Sequence, residues 1–333
     1  MSVAGRRREP VWEMLSALPS ILEETVLKSC EKELERLLEN TDKNAAGTSI
    51  EEALEELYGL SEGTKPNYTH PWVPLLHASW YHLRHVKFCL NTVYELLKEP
   101  VRSGEPIGIL DFGCGTMPLQ WAAAVAIAAM VIKDKLSIPN IRIVNIDESE
   151  PMNDLGCDMW EDVQTVVEQK QKTGEEEIRP LYSVMQEMKA VGSVNPAESG
   201  FSANDNLHLI TVIHAVYKDA GKFYWEHIKP LIKDRPTPKI LFTANKPGEH
   251  WFTTHNTMQN QFRQVKMDPT WSSIIVERDL EVKRDLKNLT DFRRRMYSDF
   301  CQSNTGSIAK RFLCQDVTWE HGNPPIGFIM TAR

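Results

Sequence analysis

A short run, Ile107-Gly-Ile-Leu-Asp-Phe112, that leads directly into Gly113-Cys-Gly115 limits how this chain can fold more than any other feature. The run is apolar and of strand length, and an alanine-rich stretch of helical composition, 119–132, begins a few residues later. Glycines let a chain leave a strand in a tight turn, let a ligand approach the backbone, and aim the amino end of the next helix at that ligand. Pro118 suits the first turn of such a helix, where its missing N–H costs nothing. A second apolar run, Ile141–Ile146, follows a Ser137-Ile-Pro-Asn140 break, so strand, helix and strand form a βαβ unit within a parallel sheet.

The alternation continues with a helix over 151–171, an acidic turn at 174–179, a strand at 207–213, a helix over 223–232 and a strand at 238–244. That pattern predicts an α/β fold, a doubly wound sheet. Residues 1 to about 103 read instead as a helical N-terminal cap region. There Ser20-x-x-Glu23 has capping-box spacing, and Leu22, Val26, Cys30, Leu34, Leu37 and Leu38 recur at helical intervals. A short helix opens at Ser49, and a longer one over 74–97 carries Trp80, Tyr81, His82, His85 and Phe88. After the fifth strand, residues 246–307 read as an insertion into the domain spanning 104–333. Residues 312–319, a Gly322-Asn-Pro-Pro325 turn and 326–331 read as a terminal antiparallel hairpin.

The 333 residues make one large domain or two ordinary ones. With 41% hydrophobic and 25% charged residues and a mean hydropathy of -0.38, the chain has a globular profile. The longest apolar run, 121–132, falls short of the roughly 18–20 residues a membrane span needs. The six cysteines form no CxxC or CxxxC pair, which points to a reducing compartment and no structural zinc. The 38 basic and 46 acidic residues give a net charge of -8, a field that opposes polyphosphates and anionic lipid and disfavours nucleic acid as a partner. Arg6, Arg7 and Arg8 are not followed by the apolar stretch of a secretory signal, and Glu9 and Glu13 arrive early for a mitochondrial presequence. The expectation is a cytoplasmic protein with a frayed amino end.

A dinucleotide fold would carry GxGxxG, and this loop lacks the last glycine. Leu110-Asp111-Phe-Gly113-Cys-Gly115 instead resembles motif I of the class I S-adenosylmethionine-dependent methyltransferases, a hydrophobic strand running into Asp/Glu-x-Gly-x-Gly. The resemblance implies that Asp111, Gly113, Cys114 and Gly115 wrap the methionine end of S-adenosyl-L-methionine. In this family an acidic residue ending the second strand holds the ribose hydroxyls. Here that strand runs into Asp147-Glu148-Ser-Glu-Pro-Met152, which makes Asp147 the ribose residue, with Glu148 beside it and Met152 near the adenine. The resemblance covers about residues 105–333 and implies a seven-stranded sheet closed by an antiparallel hairpin. The chain departs from the pattern at Met117, where many members carry a third glycine, and in a long interval from Gly115 to Asp147.

Methyl transfer is an in-line displacement in which positioning and desolvation do most of the work, so a general base is optional. His214 and Tyr217, just beyond the strand at 207–213, are the candidate catalytic residues, because ligands of open α/β sheets sit at the carboxyl ends of strands. Packing under the next helix is the competing reading. His250, Trp251 and His255 are candidates to roof an acceptor pocket, against a solvated loop with an aromatic anchor. Tyr81, His82 and His85 are candidates for a lid, against ordinary helix packing. Asn323-Pro-Pro-Ile326 resembles the motif of amino-methylating nucleic-acid enzymes but lacks its aromatic residue and lies far from the fourth strand. Cys114 shows no nearby base to make it a nucleophile. The run Arg293, Arg294 and Arg295 reads as a solvated helix face rather than an RNA track. The expected activity is methylation of a small-molecule acceptor. The alternatives are an RNA-directed or ribosome-assembly relative and a non-catalytic binding protein of the same fold.

Overall fold

The structure is a computed structural model, and it describes residues 18–62, 67–195, 200–201, 205–213, 220–232, 239–244, 256–257, 260–261, 267–270, 285–302, 308–319 and 326–332. Helices come first: α1 (Leu18–Leu38), α2 (Lys43–Glu62), α3 (Val73–His77), a π-helical turn at Ala78–His82, and α4 (Leu83–Ser103). Strand β1 (Ile107–Phe112), α5 (Pro118–Asp134), β2 (Ile141–Ile146), α6 (Glu150–Lys172), α7 (Arg179–Glu187) and β3 (Met188–Ser193) follow. Then come β4 (Leu209–Ile213), α8 (Ala220–Ile232), β5 (Lys239–Ala244), β6 (Met267–Thr270), α9 (Lys287–Met296), α10 (Ile308–Leu313) and β7 (Ile326–Ala332).

The strands make one seven-stranded sheet in the order β3-β2-β1-β4-β5-β7-β6. The first five are parallel, with Ile107 opposite Ile141 and Ile109 opposite Leu209, and β7 runs antiparallel to both β5 and β6. The chain winds outward from β1 in one direction and returns to β4 in the other. The sheet therefore has its switch point between β1 and β4, where the crossover helices part and leave a crevice at the carboxyl ends. Helix α5 is apolar on every side, from Leu119 through Trp121 to Met130, and such a helix must be enclosed. It is sandwiched beneath α4 and α7, and Trp121 is among the largest side chains with no solvent exposure.

The closing strand pair differs from expectation. Residues 312–319 are not a strand: Phe312 and Leu313 end α10, and the partner of β7 is β6, inside the stretch read as an insertion. A strand made of Met-Asp-Pro-Thr is tolerable because it lies at the sheet edge, where a missing N–H need not break a ladder. Helix α7 and strand β3 were not anticipated. Helix α2 begins at Lys43 rather than near Ser49, because the Asp42 carboxylate accepts the N–H groups of Asn44 and Ala45 at 2.9 and 3.0 Å. Ser20 lies inside α1 rather than at its cap.

The N-terminal helices share one hydrophobic core with the sheet and its helices. Helix α1 packs on α6, where Ser29 and Lys32 donate to the Asp162 carboxylate at 2.8 and 2.5 Å. It also meets α9, where Glu23 accepts the Asn288 N–H at 2.7 Å. The three consecutive arginines of α9 do not share one face. Arg294 and Arg295 are exposed, but Arg293 is fully buried, donates to the Gln315 and Phe312 carbonyls, and stacks on the Trp80 ring at 3.9 Å. Arg84 covers the same ring at 3.9 Å, so Trp80 is enclosed by two guanidinium groups. Among the described residues no helix is long and apolar enough to cross a membrane.

Candidate functional site

The loop from β1 to α5 crosses the sheet's switch point and is pinned to the end of β2. The N–H of Gly113 donates to the Ile146 carbonyl at 2.7 Å, and Gly113 and Gly115 hold left-handed φ values of 65° and 54°. Met117, at the amino cap of α5, has φ 60°, a conformation that costs a non-glycine residue about 1–2 kcal/mol. Packing offsets that strain, since the buried Met117 side chain lies against Gly156 of α6 and Gly192 of β3, 3.0 and 3.1 Å from where a Cβ would stand, so a side chain at either position would have to displace it. The missing third glycine is thus absorbed by two glycines elsewhere.

Asp147, the first residue beyond β2, ties the site together. Its Oδ2 accepts the Gly115 N–H at 2.8 Å, its Oδ1 accepts the Ser149 N–H at 3.0 Å, and its own N–H donates to the Ser193 carbonyl at 3.1 Å. Asn153 donates to the Asp147 carbonyl at 2.9 Å, and Ser149 caps α6 by accepting the Met152 N–H at 3.3 Å. The side chain of Met152 reaches back to Gly115, while Glu148 is exposed. Asp111, at the carboxyl end of β1, is buried and accepts the Thr211 hydroxyl of β4 at 2.5 Å. Burial pushes its carboxyl up to about 7; the Thr211 hydrogen bond opposes this, and the neighbouring Asp147 charge adds to it. The Cys114 thiol is raised well above its ordinary range by burial and by these two carboxylates, which removes it as a thiolate nucleophile.

The glycine loop is covered by the N-terminal helices. A Cβ built on Gly115 would sit 3.3 Å from the Met152 methyl and 3.5 Å from Cε1 of His77. Rings of His77, Tyr81 and His85 form a cluster with centroids 5.1 to 5.8 Å apart. His82 turns the other way: its Nδ1 is 3.0 Å from the Thr116 hydroxyl, and its ring meets the edge of Trp121 at 4.6 Å. Of the anticipated residues, Asp111, Gly113, Cys114, Gly115, Asp147 and Met152 gather around this loop, and Tyr81 lies in the ring cluster over it. His214, Tyr217, His250, Trp251 and His255 lie outside the described residues. His77 and Thr116 escaped the sequence reading, although the spacing of His77, Tyr81 and His85 at i, i+4 and i+8 was a usable signal.

The buried imidazoles set an acid limit on the fold. Burial lowers His77 to about 4, and burial together with the His77 charge lowers His82 to about 3. The unfolded chain then binds two more protons than the native one between pH 4 and 6.5, and Asp111, raised to about 7, returns one. Net stability is expected to fall on the order of 1.4 kcal/mol per unit as pH drops from 6.5 toward 4. Urea unfolding midpoints at pH 5 and 6.5 check this, and Asp111→Asn should steepen the slope. A midpoint flat across that window would contradict the burial of both rings.

No protein-family model matches the sequence, and no curated protein matches it. Several solved structures are similar in fold. One is a loganic acid methyltransferase with S-adenosylhomocysteine, at 10% identity and a TM-score of 0.37, covering 77% of this chain and 97% of that one. A second is a cyclopropane-fatty-acyl-phospholipid synthase-like protein from Lactobacillus casei, at 10% identity and 0.35, covering 83% and 99%. A third is a geranyl diphosphate C-methyltransferase from Streptomyces coelicolor, at 10% identity and 0.29, covering 72% and 78%.

Proposed function

We infer that this chain is an S-adenosylmethionine-dependent methyltransferase of the class I fold, acting on a small-molecule acceptor by direct transfer. The observation that carries the reading is the Asp147 carboxylate at the end of β2, locked to the Gly115 amide of a left-handed glycine loop at the sheet's switch point. The residue types suit the cofactor: Gly115 presents bare, left-handed backbone between the Met152 methyl and His77, where a Cβ would crowd the Met152 methyl at 3.3 Å. When bound, the cofactor supplies an electrophilic methyl group on a sulfonium.

In this reading Gly113, Cys114 and Gly115 line the methionine end, with the buried Asp111 beneath them. Asp147 accepts from the ribose hydroxyls, Glu148 stands at the rim, and Met152 supplies apolar surface to the adenine. His214 and Tyr217 follow the last residue of β4 and are proposed for the acceptor side by continuity of the chain. Tyr81, with His250, Trp251 and His255, is proposed to line the acceptor pocket. The helical cover excludes water, which strengthens each polar contact at the reacting atoms. The acidic balance of the chain favours a small acceptor over a polyanion.

The test has two stages. Calorimetry with S-adenosylhomocysteine is expected to show saturable binding, and its absence would remove the methyltransferase reading. Incubation with methyl-labelled S-adenosylmethionine and fractionated cell extract is expected to label the low-molecular-weight fraction. Label in RNA or protein would overturn the acceptor class, and binding without transfer would favour a non-catalytic role.

A further inference from the structure

We propose that His77, on α3 of the N-terminal helices, takes the acceptor's proton during methyl transfer, and that the acceptor is therefore a group that sheds a proton on methylation, a hydroxyl or amine in the first instance, rather than a thioether. This rests on the methyltransferase reading and deepens it.

Two independent observations converge on His77. The first is place. Its Cε1 stands 3.5 Å from where a Cβ on Gly115 would be, so the ring packs directly on the left-handed glycine of the loop proposed to hold the cofactor. The second is an unsatisfied atom. His77 Nδ1 is buried and has no hydrogen-bond partner among the described residues, and leaving such a group unpaired costs about 1–3 kcal/mol. His82 Nε2 and Trp121 Nε1 are buried and unpartnered among the described residues too, but of these rings only that of His77 lies against Gly115. An imidazole nitrogen beside a ligand cradle is accounted for once a ligand group bonds to it. Burial lowers the ring to about 4, so at neutral pH it is unprotonated. Tyr81 and His85 flank it at 5.1 and 5.8 Å, and the π-helical turn at Ala78–His82, which carries Tyr81, lies between His77 and His85.

The step balances. A lone pair on the acceptor oxygen or nitrogen forms the bond to the methyl carbon, and the sulfur–methyl bond gives its pair to sulfur. The acceptor's proton passes to His77, which becomes an imidazolium and later releases the proton to solvent. His82 also has a buried nitrogen, Nε2, unpartnered among the described residues, but its Nδ1 is 3.0 Å from the Thr116 hydroxyl and its ring packs on Trp121, so His77 is the ring assigned here.

The experiment uses the full chain carrying histidine labelled with 13C at Cε1. The His77 resonance is identified by its loss in His77→Gln and is expected to shift on saturation with S-adenosylhomocysteine. With methyl-labelled cofactor and the extract fraction that the wild-type chain labels, His77→Gln is expected to lose at least 100-fold in transfer. His77→Ala is expected to regain at least tenfold when imidazole is added, a rescue that a merely structural ring would not give. Thermal melts and S-adenosylhomocysteine binding show whether each variant is folded; if His77→Gln is not, the wild-type resonance shift and the alanine rescue decide. No binding by the wild-type chain overturns the methyltransferase reading and this assignment together. Binding with an unmoved His77 resonance, transfer by folded His77→Gln within threefold of wild type, or no rescue by imidazole overturns this assignment alone.

Discussion

Replacing Asp147 with alanine is expected to weaken S-adenosylhomocysteine binding about 10- to 100-fold, the equivalent of losing charge-assisted hydrogen bonds worth about 1.5–3 kcal/mol. The loss has two sources. The carboxylate proposed to accept from the ribose is gone, and so is the acceptor that holds the Gly115 and Ser149 amides at 2.8 and 3.0 Å. The loop is then free to leave the left-handed geometry that opens the cradle. A thermal melt a few degrees lower would accompany the change, because two shielded N–H groups lose their partner. Calorimetry on the folded variant is the measurement, and an affinity unchanged from wild type would show that the site is not organised around residue 147.

The largest effect on stability is expected at Trp121. Its side chain has no solvent exposure, lies on the face of α5 that meets the N-terminal helices, and touches the His82 ring at 4.6 Å. Trp121→Ala should cost about 3–5 kcal/mol, the usual range for emptying a fully enclosed aromatic site. Trp121→Phe should cost far less. It keeps most of the volume and removes an indole N–H that has no hydrogen-bond partner among the described residues. Urea unfolding with an unchanged slope would report both differences. An alanine variant within 1 kcal/mol of wild type would mean that the helical cover is not packed on α5.

The inner strands were legible because each carries its own signal. Ile107–Phe112 and Ile141–Ile146 are apolar runs bounded by turn residues, and burial on both faces requires that composition. The edges were not legible. Strand β3, Met-Lys-Ala-Val-Gly-Ser, buries only its first residue, so no alternation marks it, and β6 holds an aspartate and a proline. Both owe their pairing to neighbours far along the chain, which no local pattern reports. The spacing of apolar residues in 312–319 suggested a strand, but Leu313 packs into the core from the end of a helix. In the site, Asp147 and the glycines could be read from residue type and order. For His77 the i, i+4 and i+8 spacing with Tyr81 and His85 marked a ring stripe, but not its contact with Gly115, 38 positions away, which only the fold reveals.

The stack that encloses Trp80 between Arg84 and Arg293, together with the Glu23–Asn288 hydrogen bond, spans separations of up to 265 residues. A ribosome emits the first of these partners long before the last. Helix α1 therefore leaves the exit tunnel with part of its apolar stripe uncovered, and its α9 neighbour arrives only after most of the sheet has been synthesised. Closing contacts across such long loops slows the search for the native arrangement and prolongs exposure of sticky surface. Native packing of α1 and Trp80 is thus tied to synthesis through α9, and a fragment that stops before residue 285 leaves both without their last wall.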